Sequence, residues 1–284
     1  MSVGCGDLIT SSVLDCDNIL QGGVGDNSRL ILIPKSSIAS YTKSGIGLVS
    51  AITLAANKSG YSIDGVNQSL KPKFELVNAD SGQPLYKHIA EFFYFNYSQL
   101  HKNNMKRLAN GRYVAIYSNA KADADAYEIL GLDSGLKVNV MTRAPQESGG
   151  AVKFTLESPE NEFEASPPAT FDAGGFVASK TALEALLFLP TLTTVAPLAA
   201  AAAGGTALTL TGTNFFGGGT NSAVLAVAYV NNATGAVVNQ TTFTVASTTS
   251  ITMTSVAMPA GSYKVRVTTI KGVAIQESSN LIVT

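Results

Sequence analysis

The stretch LTLTGTNFFGGGT, Leu208 to Thr220, decides how this chain is read. Its glycines, Gly212, Gly217, Gly218 and Gly219, fit either a loop that cradles a phosphate or a backbone that simply turns. A phosphate loop needs a strand, a glycine-rich turn and then a helix whose N-terminus meets the anion, usually with a lysine behind it. Here Gly217–Gly219 run into TNSAVLAVAYV, a β-rich run, and the next lysine is Lys264. QGGVGDN and SGGAVKF fail the same test because strands follow them. The stretch is therefore read as backbone geometry. Leu208 and Leu210 form the core face of a strand, Gly212 and Asn214 shape a turn, and Phe215 or Phe216 tucks back as an anchor. Gly217–Gly219 are expected to make a mobile loop on the outer tip of a domain.

Working outward, the second half of the chain is a series of short strands: TLTTV, TALTLT, VLAVAYV, VVNQTTFTV, SITMTS, SYKVRVTT and a final VAIQ or NLIVT. Their β-branched content and regular turn signals predict a β-sandwich of about seven strands. Alternation assigns Tyr263, Val265 and Val267 to one face and Lys264, Arg266 and Thr268 to the other.

These residues also carry a family resemblance. PTLTTVAP, GGTALTLTGTNF and the late PAGSYKVRVTT resemble the immunoglobulin-like IPT/TIG domain at Pro190, Pro197, Gly204–Gly205–Thr206, Leu208, Leu210, Gly212–Phe215, Pro259, Gly261, Tyr263 and Val265. The resemblance spans about residues 190–284. AVAYVNNATGAVVNQ departs from it and implies a longer hairpin there.

Composition changes near Leu189–Pro190. Beyond that point the only charged side chains are Lys264, Arg266, Lys271 and Glu277. This predicts two domains, 1–189 and 190–284, joined through a connector whose apolar segment Thr181–Leu189 packs on the first. In the first half, RLILIP, SAITLAA, KPKFELVN, LYKHIAEFFYFN, RYVAIYSN, AYEILGL, LKVNVMTRA and AVKFTLESP read as strands. One helix is predicted over Ser98–Gly111, with Ser98 as N-cap, Leu100, Met105 and Leu108 near one face, and Lys106 and Arg107 in the last turn. The fold class is mainly β: an N-terminal antiparallel β-sandwich or barrel with one flanking helix, and a C-terminal Ig-like β-sandwich. FFYFNY, Phe92–Tyr97, would put large rings on both strand faces, so that a helix or another subunit must cover the second.

The chemistry is sparse. Cys5 and Cys16 read as reduced structural thiols, and His88 and His101 as surface residues, His88 exposed or at an interface on its strand. No nucleophile turn of the G-x-S-x-G kind is present. Glu157, Glu160, Glu162 and Glu164, with the pairs Asp15/Asp17 and Asp123/Asp125, lack the bend and the closing bidentate ligand of a calcium loop. No catalytic, cofactor-binding or metal-binding residue is assigned, and the chain reads as not an enzyme.

Charged residues make up 14% of the 284 residues, the net charge is −1 and the pI is near 6.1, which excludes the basic footprint of duplex DNA or anionic-membrane binding. Mean hydropathy is +0.20, yet no apolar run reaches spanning length. MSVGCGDLIT has neither the basic start nor the apolar core of a signal peptide, so cytoplasmic synthesis without export is expected.

An Ig-like module without an export signal, on a chain without catalytic parts, points to a virus particle. The layout of the first half is similar to phage tail tube proteins: a β-sandwich with one helix, long hairpins and an N-terminal arm over Met1–Asn27. EILGLDSGLKVNVMTRAPQESGGAVKFTLESPENEFE supplies the strands matched to the tube wall. That resemblance implies a virion protein, the major tail tube subunit, stacking as hexameric rings around a DNA-conducting lumen with the Ig-like domain outward. The implied partners are further copies, other virion proteins, DNA in non-specific transit and weak host-surface glycan contact. A capsid decoration or head-fibre base protein, and a carbohydrate- or receptor-binding adhesin, are the alternatives.

Overall fold

The computed structural model describes residues 29–64, 69–78, 84–95, 99–119, 122–143, 150–276 and 278–284. The arm expected over Met1–Asn27, with Cys5 and Cys16, lies outside these residues, as does the expected N-cap Ser98.

The first part of the chain contributes β1 (Arg29–Pro34), β2 (Ile38–Gly45), β3 (Leu48–Leu54), β4 (Tyr61–Asp64), β5 (Lys71–Asn78) and β6 (Pro84–Tyr94). Helix α1 (Gln99–Asn110) follows, then β7 (Arg112–Ser118), β8 (Tyr127–Leu130), β9 (Leu136–Arg143), β10 (Val152–Glu157), β11 (Ala169–Phe171) and helix α2 (Phe176–Ala185). All eleven strands join one sheet, ordered β2-β3-β11-β8-β7-β9-β10-β6-β5, with β1 bonded to β7 and β4. Pairing is antiparallel except between β11 and β3.

The apolar run Leu30–Ile33 explains the centre of this sheet. Leu30 and Leu32 enter one core with Ala115, Tyr117, Phe92 and Phe154, while Ile31 and Ile33 enter a second with Val114, Ile116, Ile129 and Phe171. A strand buried on both faces needs apolar residues at successive positions, as Leu30–Ile33 of β1 and Val114–Ile116 of β7 supply. Met105 of α1 closes the first core, and Leu183 of α2, with Leu187 just beyond it, closes the second. The connector is thus partly a second helix where one was expected. Apolar residues at Phe176, Leu183 and Leu187 drive it onto the sheet, and Asp172 accepts hydrogen bonds from Gly174 and Gly175 at its start.

Of Phe92–Tyr97, residues 92–95 are described, and their two faces differ. Phe92 stacks on Phe154 at 5.3 Å in the first core, and Tyr94 meets His101 of α1 at 5.7 Å. The helix therefore covers the face already apolar, and Phe95 on the other is left half exposed.

Residues 190–284 form a sandwich of two sheets around a separate core running from Leu192 to Val283. Its strands are β12 (Thr191–Ala196), β13 (Ala199–Ala200), β14 (Ala207–Thr213), β15 (Val224–Asn231), β16 (Val237–Asn239), β17 (Phe243–Ser247), β18 (Ser250–Thr254), β19 (Gly261–Thr269), β20 (Gly272–Ile275) and β21 (Leu281–Val283). One sheet is β12-β14-β18-β17; the other is β13-β21-β19-β15-β16 with β20 on β19. VVNQTTFTV, expected as one strand, splits between the sheets at Gln240. The buried Gln240 amide accepts from Tyr229 Oη at 2.9 Å and donates to the carbonyls of Thr242 and Thr254, each at 2.7 Å. The chain likewise changes sheet between β12 and β13, at the cis peptide Ala196–Pro197.

Leu208 and Leu210 point into this core, and Phe215 is fully buried. A Cβ on Gly212 would lie 2.0 Å from the Thr191 carbonyl oxygen and 2.7 Å from the Phe215 ring, so only glycine lets strand and anchor close together. Asn214 turns the chain at φ 59° and donates to the Leu189 carbonyl at 2.9 Å.

Gly217–Gly219 were expected on an outer tip, and the fold places them elsewhere. A Cβ on Gly218 would lie 2.8 Å from the Phe188 ring, and one on Gly217 would lie 3.0 Å from Lys271 Cγ. The glycines permit close approach to the first domain at the joint between the two parts.

Candidate functional site

The densest set of titratable groups sits where β6, the β8–β9 turn and the loop after β10 meet. His88 is only 2% exposed, not the exposed strand residue expected from alternation. Its Nδ1 accepts from the Gly131 amide at 3.1 Å, and its Nε2 lies 3.0 Å from the Ser166 carbonyl, which requires the Nε2–H tautomer. Burial pulls its pKa down to about 4, against the opposing pull of that carbonyl. Glu164, also 2% exposed, accepts from the amides of Ser134 at 2.9 Å and Asp133 at 3.0 Å, while burial raises its pKa above the usual carboxylate value. Tyr41 donates to Asp133 at 3.1 Å, and Lys35 donates to the Leu132 carbonyl.

This arrangement positions backbone. Both imidazole nitrogens and both Glu164 oxygens are engaged by main-chain groups, so a proton could leave or arrive only if the turn opened. The adjoining cavity is about 40 Å³ and is lined in part by His88, Asp133, Glu164 and Ser166. That volume suits a water better than a substrate.

The remaining acidic residues disperse. Glu157 pairs with Lys87 at 2.8 Å, and Glu162 with Arg112 through a forked contact whose second arm is 2.8 Å. Asp123 caps a turn by accepting from the Asp125 amide at 3.0 Å. Among the described residues no group of three or more His, Cys, Asp or Glu side chains could hold a metal ion, and no helix is long and apolar enough to cross a membrane. Asp15 and Asp17 lie outside the described residues.

What the first domain leaves open is its periphery. Among the described residues β2 and β5 end the path of the sheet and β4 pairs with β1 alone, each with one side unpaired. Phe74 and Leu76 on β5 are 49% and 59% exposed, and Ile46, at the tip of the β2–β3 hairpin, is 97% exposed. Beyond Val138, β9 is exposed through Arg143, including Val140 and Met141, and it forms the long hairpin with β10 that the sequence indicated. On the opposite face of β5, β6 and β10, charges alternate: Glu91 lies 2.9 Å from Lys153 and 3.9 Å from Lys73. None of these residues except those of the β9–β10 hairpin stood out in the sequence, because exposure at a sheet edge depends on strand order.

In the second domain, Phe215 and Tyr229 are core residues and offer a glycan no surface. Tyr263 Oη donates back to the Pro259 carbonyl at 2.8 Å, the corner contact of Ig-like sandwiches.

Residues 190–282 match the profile of the IPT/TIG domain, and this part of the chain is an IPT/TIG domain. No curated protein matches the sequence. A solved structure from Bacteroides ovatus, the mixed-linkage glucan utilization locus protein SGBP-B in complex with a mixed-linkage heptasaccharide, aligns at 11% identity and a TM-score of 0.24. The alignment covers 91% of this chain and 60% of that one.

Proposed function

We propose that this protein is a self-assembling structural subunit of a virus particle, the tail tube protein of a tailed bacteriophage, with its IPT/TIG domain turned outward. The observation that carries the reading is the set of open edges on one sheet, of which the two ends of its path stand furthest apart in strand order. β2 at one end and β5 at the other offer unpaired backbone groups, and β5 adds the exposed apolar pair Phe74 and Leu76. Such edges invite another strand unless they are covered. A contact between two different patches of identical copies is heterologous, and it closes into a ring when its rotation divides a full turn.

Three further features support it. The half-exposed Phe95 and the exposed end of β9 give neighbours additional apolar surface. A chain with 14% charged residues suits a particle whose surfaces are largely covered by neighbours. The buried His88 and Glu164 serve the backbone, consistent with a scaffold that performs no catalysis. DNA would pass through the ring lumen without being read.

Electron microscopy of the purified protein tests this directly. Hollow tubes or six-membered rings are expected; a protein that stays monomeric at high concentration overturns the reading.

A further inference from the structure

The outward face of α1 concentrates positive charge. Between Glu91 and Asp123 the chain holds Lys102, Lys106, Arg107, Arg112 and Lys121 and no Asp or Glu, although its net charge is −1. Charge segregated in this way marks a surface. α1 turns Met105 into the first core with Leu108 against it. Successive helical residues are about 100° apart, so Asn103, Lys106, Arg107 and Asn110 fall on the side away from the sheet. All four are exposed. A cavity of about 540 Å³ opens along that side, lined by Asn103, Lys106, Arg107, Asn110 and Gly111.

The two cations of this cavity are uncommitted. Arg112 holds Glu162 in a fork, whereas among the described residues no ion pair includes Lys106 or Arg107. The carbonyls of the last turn, which would repel an anion, are occupied. Lys106 O accepts from Asn110 Nδ2 at 2.9 Å, Arg107 O from Tyr113 Oη at 3.4 Å, and Leu108 O from the Gly111 amide at 3.2 Å. Asn103 Oδ1 accepts from Gln99 at 3.5 Å, which leaves its Nδ2 as a donor. The helix dipole explains why cations sit in a last turn. It explains neither the acid-free stretch nor the cavity beside it.

The shape of the site narrows its ligand. A volume of this size lies within the range of about 300–1,000 Å³ typical of small-molecule sites. From Asn103 to Asn110 the face runs about 10 Å along the helix axis. Lys106 supplies a compact point charge and Arg107 a planar fork, a pair suited to phosphoryl oxygens. A single carboxylate presents its oxygens at one point, whereas linked phosphates present them along the whole face. Among the described lining residues none is aromatic, so nothing there selects a nucleobase.

We propose that this face of α1 binds a soluble oligophosphate, with Lys106 and Arg107 holding the phosphoryl groups and Asn103 donating beside them. The bound anion then ties down the helix that closes the first core.

Calorimetric titration of the full chain with tripolyphosphate tests this, with sulfate at matched ionic strength as the comparison. One saturable site per chain is expected for tripolyphosphate and none for sulfate over the same concentrations. Lys106→Gln with Arg107→Gln should weaken binding at least about tenfold, as the loss of two charge-assisted contacts requires. Lys58→Gln with Lys180→Gln removes the same charge from exposed positions elsewhere and should change it by less than about twofold, because distant surface charges are screened. Tripolyphosphate should also raise the thermal midpoint of the first domain and leave that of the IPT/TIG domain in place. Absence of saturable binding overturns the proposal, as do equal binding of sulfate, binding retained by the Lys106/Arg107 variant, and an equal loss in the Lys58/Lys180 control. Vesicles containing phosphatidic acid carry the same phosphoryl chemistry on a lipid surface. Retention on them that depends on Lys106 and Arg107, without tripolyphosphate binding, overturns the soluble ligand and assigns the site to a headgroup.

Discussion

The ammonium of Lys271 rests 3.7 Å from the centroid of the Tyr61 ring and donates to the Gly60 carbonyl at 3.3 Å, which joins the IPT/TIG domain to the first domain through one side chain. A desolvated cation–π contact contributes up to about 2 kcal/mol. Lys271→Ala and Tyr61→Ala should each speed proteolytic cleavage within residues 186–190 while leaving the thermal midpoint of the IPT/TIG domain unchanged. Unaltered cleavage in both variants would remove this contact from the account of the joint.

The same lysine makes the joint pH-dependent. Burial lowers its amine from 10.5 to about 8 in the docked form. Between about pH 8 and 10.5 the separated domains bind the proton more readily than the docked ones, so docking strengthens as pH rises through that window. Cleavage at the joint should slow over this range in the natural chain, and Lys271→Met should abolish the dependence.

His88 sets the acid limit of the first domain. Its pKa falls from 6.5 in the unfolded chain to about 4 in the fold, so the unfolded state binds more protons between these values. Stability is complete above about pH 6.5 and declines as pH falls toward 4, by about 3 kcal/mol when both states are protonated. Glu164, raised by burial, works in the opposite sense at the acid end. Urea midpoints measured from pH 7 to 4 should fall in the natural chain and flatten in His88→Gln. A slope unchanged by the substitution would assign acid sensitivity to other groups.

Gln240 holds the strand that changes sheets. Gln240→Leu leaves Tyr229 Oη and the carbonyls of Thr242 and Thr254 without their partner, at a cost of about 2–4 kcal/mol. The lower midpoint should appear in the transition of the IPT/TIG domain, and Gln240→Glu should recover only part of the loss. A midpoint within experimental error of the natural chain would mean that water replaces the amide.

Assembly depends on the β5 edge in the proposed function. Phe74→Glu with Leu76→Glu should yield a folded protein with unchanged far-UV circular dichroism that no longer forms rings or tubes. Removal of residues 190–284 should leave polymerisation intact. Normal assembly of the charged double variant would move the subunit contact to another edge.

Several strands were readable because their residues obey a local rule. KPKFELVN coincides with β5, and RLILIP with β1. Leu208 and Leu210 alternate with exposed threonines in β14 as period two requires. β2, with the sequence IASYTKSG, escaped notice because an exposed hairpin strand has no apolar face to repeat. The burial of His88 also escaped, since its neighbours in LYKHIAEFF say nothing of the turn at Gly131 or the loop at Ser166 that close over it.

By itself the sequence determined the mainly β class and the IPT/TIG sandwich with Phe215 or Phe216 as its anchor, because alternation, turn residues and charge density act over a few neighbouring positions. Only the tertiary structure decided that Gly217 and Gly218 lie against Lys271 and Phe188, that Glu157, Glu162 and Glu164 take different partners, and that Phe215 rather than Phe216 is the buried anchor. Each of these depends on which distant segments meet, and long-range contact is set by the packing of whole sheets and not by any residue's own preference.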